Sequence, residues 1–485
     1  MRADLSGGCR AAGVFLDTCQ RRLGLACAVL LAGCAAPVQP LPTLAEQAPA
    51  AWQAPLPHGG SSAQLAEWWR GAGDAALAGL IDAALADNPT LAIAQARLAQ
   101  ARAQAQGQSA ARGPRVDAAA SAQRDNTQAM GLMPDPPILT TLQAGVQASW
   151  EIDLFGRQGA LVRAADARVQ GAQALAHLAR VSLAASVAEN YYGLRLCQSV
   201  LDSTVNDAAS RAETARLARI AQGAGFTAPA TVALAEASAA DARARAAQQR
   251  AGCDMQRKAL VALTGLPEPE LIEKLAQTQT QPALPALFSI ATLPADTLRQ
   301  RPDVWAAERD VLAARAEVDA ADAARWPSLS LTGSISAVRL KMAGFQGDYT
   351  GWSFGPLQLA LPLFDSGRIA AGQAAARGRY DEAVAAYQAK VRQAVQEVET
   401  ALVQGAAARE KESDARAAVA GYRRQFEAVQ ALYAQGMASL PQLEEARRNL
   451  LAAETGWSQW RHDAQVAGVA LYRAAGGGWV APDPD

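Results

Sequence analysis

Thr141-Leu142-Gln143-Ala144-Gly145-Val146-Gln147-Ala148-Ser149-Trp150-Glu151-Ile152-Asp153-Leu154 alternates between polar or small residues and apolar ones without a break. A period of two predicts one long strand, with Leu142, Val146, Trp150 and Ile152 on one face and Gln143, Gln147, Ser149 and Glu151 on the other. Val116, Ala118 and Ala120 form a weaker partner strand, joined to it through a turn region at Met130 to Pro137. Farther on, Leu329, Leu331, Ile335 and Ala337 alternate with Ser328, Ser330, Thr332, Ser334 and Ser336. The return strand runs from Trp352 and Phe354 through Leu357, Leu359, Leu361 and Leu363, and its phase slips at Gly355-Pro356, as a bulge requires.

These two strand pairs belong to two copies of one unit. Asn88-Pro89 opens a helical run that closes on Arg112-Gly113-Pro114, and Arg301-Pro302 opens one that closes on Arg325-Trp326-Pro327. The spacing from Pro89 to Pro302, from Arg112 to Arg325 and from Pro114 to Pro327 is 213 residues each time. Leu154-Phe155-Gly156-Arg157 answers Leu363-Phe364 with Gly367-Arg368, and Ala221-Gln222-Gly223 answers Ala434-Gln435-Gly436. A fixed long period signals a repeated supersecondary unit. Val304, Val311 and Val318 lie seven apart in the opening helix of the second copy, matched by Leu91, Leu98 and Ala105 in the first. Such heptads set helices side by side, and the alanines between them make the packing close. No proline interrupts Gly156 to Gln222, or the stretch between Pro362 and Pro441. Helices of ~60 residues, on the order of 90 Å, are therefore expected, turned back at Gly223 to Phe226 and Gly436 to Leu440.

Lys+Arg 45 against Asp+Glu 46 leaves a net charge of −1 on 485 residues, which removes nucleic acid as a partner. Half the chain is apolar but only 5% is aromatic, a composition suited to long helices. Arg21-Arg22 precedes a short apolar run from Leu23 to Leu31, which reads as a secretory signal and is too short to span a bilayer. Its end, Leu31-Ala32-Gly33-Cys34, resembles a bacterial lipobox, implying lipid on Cys34 and, with Ala35 following, sorting to the outer membrane. Cleavage of an ordinary signal near Ala35-Ala36 is the alternative, and residues 1–20 read as an upstream extension.

Four amphipathic strands cannot close a membrane barrel, for which ~8 or more are needed, whereas three chains supply twelve. Backbone groups in lipid must all be paired, so the strands call for an obligate homotrimer with the Ser and Thr face lining a water-filled lumen. Together with the lipobox, the duplicated units and the Leu363-Phe364-Asp365-Ser366-Gly367-Arg368 run, this resembles the outer-membrane efflux proteins of the TolC-like class, in their lipoprotein (NodT-type) branch. The resemblance implies a mainly α fold with a transmembrane β portion: a trimeric 12-stranded β-barrel, four strands per chain, continued by a periplasmic α-helical coiled-coil barrel. The expected organisation is a signal peptide at 1–33, a lipidated tether at 34–72, repeat 1 at 73–265 with strands about 115–127 and 138–155, an equatorial linker at 266–293, repeat 2 at 294–475 with strands about 328–339 and 350–364, and a tail at 476–485. It further implies a passive exit duct for small toxic compounds or drugs, served by a periplasmic adaptor and an inner-membrane transporter of the resistance-nodulation-division type. Type I protein secretion or heavy-metal export on the same fold is the alternative, and a periplasmic coiled-coil scaffold is the rival from another class.

Glu445 and Arg448 fall where relatives constrict the periplasmic mouth, three positions apart on one helix face, although Glu stands where Asp is common and Pro441 where a larger apolar residue often sits. An exposed ion pair worth under ~1 kcal/mol is the plainer reading of that pair. Gly223, Gly225, Gln435 and Gly436 are the expected adaptor contacts, or simply turn residues. Cys197 and Cys253 lie at similar distances before and after the first tip, so antiparallel helices set them at one height. A disulfide there suits an oxidising compartment, with two buried thiols as the alternative. His58, His177 and His462 are scattered, and no HExxH, Cys-x-x-Cys, GxxxxGK[ST] or GxSxG occurs. Neither a cofactor nor a catalytic site is expected.

Overall fold

A computed structural model describes residues 43–56, 68–71, 73–126, 138–277, 294–342 and 344–480. Cys34, His58, the turn at Met130 to Pro137, most of the tether and residues 278–293 of the linker lie outside the described residues. Short helices α1 (Leu44–Gln47), α2 (Trp68–Gly71) and α3 (Ala75–Ala86) precede the first unit, α4 (Pro89–Ala110), β1 (Arg115–Asn126), β2 (Ile138–Ile152), α5 (Arg157–Gly223) and α6 (Pro229–Thr264). After α7 (Glu268–Ala276) and α8 (Pro294–Arg299) comes the second: α9 (Pro302–Ala323), β3 (Ser328–Met342), β4 (Phe345–Ala360), α10 (Arg368–Ala434) and α11 (Leu440–Ala474).

The copies match closely in length. Helices α4 and α9 each have 22 residues, and α5 and α10 each have 67, which corresponds to ~100 Å. Proline occupies the first turn of both opening helices, where its missing N–H costs nothing, and the Asn88 side chain accepts from Thr90 N at 2.8 Å. Each long helix starts after a glycine in the left-handed region, Gly156 (φ 74°) or Gly367 (φ 88°). A carboxylate caps each start: Asp153 accepts from Gln158 N and Gly159 N, Asp365 from Gly367 N and Ile369 N.

The four strands form one antiparallel sheet in the order β1-β2-β3-β4. Several strand boundaries differ from expectation. Strand β2 ends at Ile152, short of 155, because Asp153 is committed to capping α5. Strand β4 begins at Phe345 instead of 350, since β3 runs on to Met342 and Gly344, at φ 79°, turns the chain at once. It stops at Ala360 instead of 364, just before Pro362, which has no N–H to donate to a ladder. The expected bulge is present: Leu331 pairs with Leu357 and Gly333 with Phe354, so Gly355 and Pro356 stand opposite the single residue Thr332.

The largest core among the described residues packs α3 against the middle of α5, built from Leu77, Leu80 and Ile81 of α3, Val187, Tyr191 and Leu194 of α5, Leu260, Leu271 and Tyr472. Asp74 ties it together by capping α3 and accepting the Tyr191 hydroxyl at 2.6 Å; burial, and then that bond, push the Tyr191 phenol up to about 12. Away from this core, packing is alanine-rich. Ala164 and Ala167 of α5 sit against Ala313 and Ala316 of α9, and Val391, Val398 and Leu402 form the buried seam of α10. Among the described residues no single helix is long and apolar enough to cross a membrane.

Candidate functional site

The register sorts the sheet into two unlike faces. Directly opposed residues share a face, so Ala118, Val146, Ile335 and Trp352 form one row, and Val116, Ala148, Gly333 and Phe354 the next. Leu331 and Leu357 extend that face beside Trp150. The other face carries Asp117, Gln147, Ser334 and Ser353 in one row and Ser121, Gln143, Val338 and Tyr349 in another. Trp352 is 76% exposed and Phe354 81%, an unusual place for aromatics that would each gain on the order of 2–3 kcal/mol by leaving water. From Leu142 to Ile152 the apolar band spans ten residue steps, ~33 Å along the strand or ~25 Å when tilted by ~40°, which is the height of a membrane barrel's apolar belt. Within the sheet β1 and β4 each pair on one side only, leaving two open edges. On the polar face Gly145 is needed for close approach, since a Cβ there would lie 2.6 Å from that of Ser336.

At the opposite end of the long helices the hairpins turn at Gly225 (φ 79°) and Gly436 (φ 75°), with Gly223 closing α5 and Gln435 capping α10. Each left-handed glycine is followed by a large apolar side chain held out in solvent: Phe226, 86% exposed, and Met437, 63% exposed. Only their exposure marks them, because an apolar residue in a glycine-rich turn has no periodicity to be read from.

Behind the tips lies a buried ionic cluster joining α5, α6 and α11. Arg211 Nε donates to both Asp207 oxygens at 3.0 and 2.9 Å, and its Nη1 donates to Ser238 Oγ at 2.6 Å and to Glu444. Glu444 also accepts from Ser238 Oγ at 3.0 Å and from Arg447 Nη1 at 2.6 Å. Arg447 Nη2 reaches Ser210 Oγ at 2.9 Å and Thr214 Oγ1 at 3.1 Å, while its Nε has no partner among the described residues. Burial, opposed by Glu444, holds the Arg447 guanidinium below the usual arginine range. The pair singled out in the sequence sits one residue farther on. Glu445 and Arg448 are exposed, and among the described residues no ion pair joins them. Doubled residues in Glu444-Glu445-Ala446-Arg447-Arg448 offer two i,i+3 pairs, and the seam through Leu440, Leu443 and Ala446 turns the first inward.

Cys197 and Cys253 are joined as a disulfide between α5 and α6, with Cα atoms 5.5 Å apart. Gln249 Nε2 donates to the Cys197 carbonyl at 3.3 Å beside it. His177 lines a cleft of about 600 Å³ with Arg102, Arg180 and Trp479; burial, with Arg180 adding, lowers its pKa. His462 lies apart, beside Asp463, and among the described residues no group of three or more His, Cys, Asp or Glu side chains could hold a metal ion.

The outer membrane efflux protein family model matches residues 80–266 and 293–477, two blocks that fall on the two copies of the unit. The chain is similar to outer membrane protein OprJ of Pseudomonas aeruginosa, at 32% identity over 428 residues, 87% of this chain and 88% of that protein. It is similar to the toluene efflux pump outer membrane protein TtgI of Pseudomonas putida, at 30% identity over 412 residues, 84% of this chain and 86% of the relative. Its backbone superposes on the crystal structure of a membrane protein from Pseudomonas aeruginosa with a TM-score of 0.79 at 30% identity, covering 91% of this chain and 99% of the other.

Proposed function

The chain belongs to the outer membrane efflux protein family and is an efflux channel of that membrane, and on that premise we propose that it works as a passive homotrimeric exit duct. The two-faced sheet with two open edges carries this reading. In lipid each unpaired edge costs several kcal/mol per exposed group, so the edges of β1 and β4 must be met by other chains. Strands β1 and β4 run in opposite directions, so successive four-stranded sheets join antiparallel, and three of them make a barrel of twelve. The row of Asp117, Gln147, Ser334 and Ser353 then faces water, and the long helices continue the lumen toward the periplasm.

Lipid on Cys34 adds a second anchor beside the barrel. Gly223, Gly225, Gln435 and Gly436 shape the tips that meet a periplasmic adaptor, and Phe226 and Met437 offer it one apolar contact per hairpin. Energy comes from an inner-membrane transporter of the resistance-nodulation-division type, so the duct performs no catalysis. The cargo is small toxic or drug-like compounds, the class to which the toluene named for TtgI belongs. Glu445 and Arg448, exposed on α11 just above the tip, constrict the mouth, and the buried cluster of Asp207, Arg211, Glu444 and Arg447 fixes that helix behind them.

Purified protein in planar bilayers tests this. Discrete single-channel steps from a species of three chains are expected, rising in size when Glu445→Ala is combined with Arg448→Ala. Monomers without pore activity refute the duct, whereas unchanged steps in the double variant remove only the gate assignment.

A further inference from the structure

We propose that Arg124, Lys341 and the Thr140 hydroxyl between them form a docking site, on the lipid-facing side of the sheet, for the phosphate groups of an anionic glycolipid in the outer leaflet. The inference rests on the barrel reading and adds a lipid partner and the residues that hold it.

The register places the three residues together. Arg124 pairs with Thr140 and Thr140 with Lys341, so they stand side by side on β1, β2 and β3. Their row lies an even number of steps beyond Val146 and Ile335 and therefore on the same apolar face. Its height follows from the same pairing. The row of Leu142 and Arg339 stands ten residue steps from that of Ile152 and Leu329, at the upper limit of the apolar band. The row of Arg124 and Lys341 lies two steps higher, ~7 Å along the strand or ~5 Å in depth at a tilt of ~40°, where headgroups replace acyl chains. That end of the sheet is remote from the long helices, since β3 turns into β4 there at Gly344, so the leaflet it meets is the outer one.

Charge on this face is one-sided. From the row of Ile152 and Leu329 up to that of Ala144 and Ala337 it carries no charged residue. The next two rows set three cations, Arg339, Arg124 and Lys341, against one carboxylate, Asp348, a net +2 in a chain whose total is −1. Asp348 is spent on Arg339, accepting from its Nε and Nη2 at 2.8 Å each. Arg124 and Lys341 are exposed and form no salt bridge among the described residues. On the opposite face at the same heights the only charge among the described residues is Asp125. Charges placed merely to meet water would mix signs on both faces; here the cations face lipid and the unpaired acid faces the lumen.

The chemistry fits a phosphate. Long Lys and Arg stems keep their methylenes among acyl chains while the charge reaches the headgroups. Strands β1 and β3 are ~10 Å apart, a gap that two such side chains close over one anion. A phosphate monoester carries about −1.5 to −2 and three acceptor oxygens, enough for a guanidinium, an ammonium and the Thr140 hydroxyl at once. The acyl chains then lie along Ala337, Ile335 and Trp352 below.

The purified trimer is titrated in detergent with lipid A bearing both phosphates and with lipid A stripped of them, and bound lipid is counted by native mass spectrometry. Each cation facing an anionic lipid strengthens binding by about fivefold, so Arg124→Gln with Lys341→Gln should weaken binding of the phosphorylated form by about 25-fold. The parent should hold the stripped form no better than that variant holds the phosphorylated one. Exchanging the cations, Arg124→Lys with Lys341→Arg, should keep binding within about threefold, and Asp125→Asn on the other face should leave it unchanged. Trimer mass and single-channel steps are measured on the same samples. Conducting trimers whose double glutamine variant binds within about threefold of the parent, or whose parent binds both lipids alike, overturn the lipid site and leave the duct standing. Monomers without pore activity overturn the barrel reading and the site with it.

Discussion

Glu444 is the residue whose removal tests the clamp behind the hairpin tips. Its carboxylate bonds to two guanidiniums, and the side chains of Glu444, Arg211 and Arg447 are only 8%, 6% and 4% exposed. In Glu444→Ala, Arg211 keeps Asp207, but Arg447 is left with the hydroxyls of Ser210 and Thr214 and no carboxylate partner. Stranding a buried charge in this way costs ~3–5 kcal/mol. At about 3 kcal/mol the population with α11 released from α5 rises roughly 150-fold. Hydrogen exchange of the amides in 440–452 of the purified protein reads this directly as a loss of protection of that size. Glu445→Ala, an exposed carboxylate one residue away, should change exchange by no more than about twofold. Glu444→Gln, which keeps the shape but not the charge, should fall between them. If Glu444→Ala leaves protection within about threefold of the parent, or Glu445→Ala matches it, the buried cluster does not hold α11 and the reasoning fails.

Trp352→Arg or Phe354→Arg puts a cation on the apolar face and should cost ~2–4 kcal/mol, lowering the yield of membrane-inserted protein, while Ser334→Arg on the polar face should spare assembly and change pore ion selectivity; equal damage from all three would refute the facing. Maleimide labelling of denatured, unreduced protein should miss Cys197 and Cys253, and the Cys197→Ser, Cys253→Ser double variant should lose about 4 kcal/mol from the 56-residue loop it opens, read by denaturant midpoint. Burial keeps His177 below the ordinary 6.5, so the unfolded chain binds a proton that the folded chain resists. The stability tied to that group is therefore present above pH 6.5 and lost as pH falls below it, and His177→Gln should flatten the fall in melting temperature between pH 7 and 5.

Much of this architecture is written in local periodicity. The two-residue alternation at 141–154, the seven-residue spacing of Val304, Val311 and Val318, and the 213-residue repeat are properties of the chain alone, because a pleated strand and a coiled helix each impose their own period on whatever face is covered. Glycines at 156, 225, 367 and 436 were equally legible, since left-handed turns select them for steric reasons that act within one residue. Choices settled by neighbours distant in sequence were not legible. Glu444-Arg447 and Glu445-Arg448 have identical spacing, and only the packing of α11 on α5 and α6, with Arg211 and Ser238 waiting there, buries one pair and exposes the other. The early start of β4 at Phe345 depended on how far β3 runs, and the exposure of Phe226 and Met437 on where two hairpins end in space. A one-residue rotation about a helix axis leaves every local period unchanged, so the burial of charge had to be decided by the tertiary contacts that such a rotation makes or breaks.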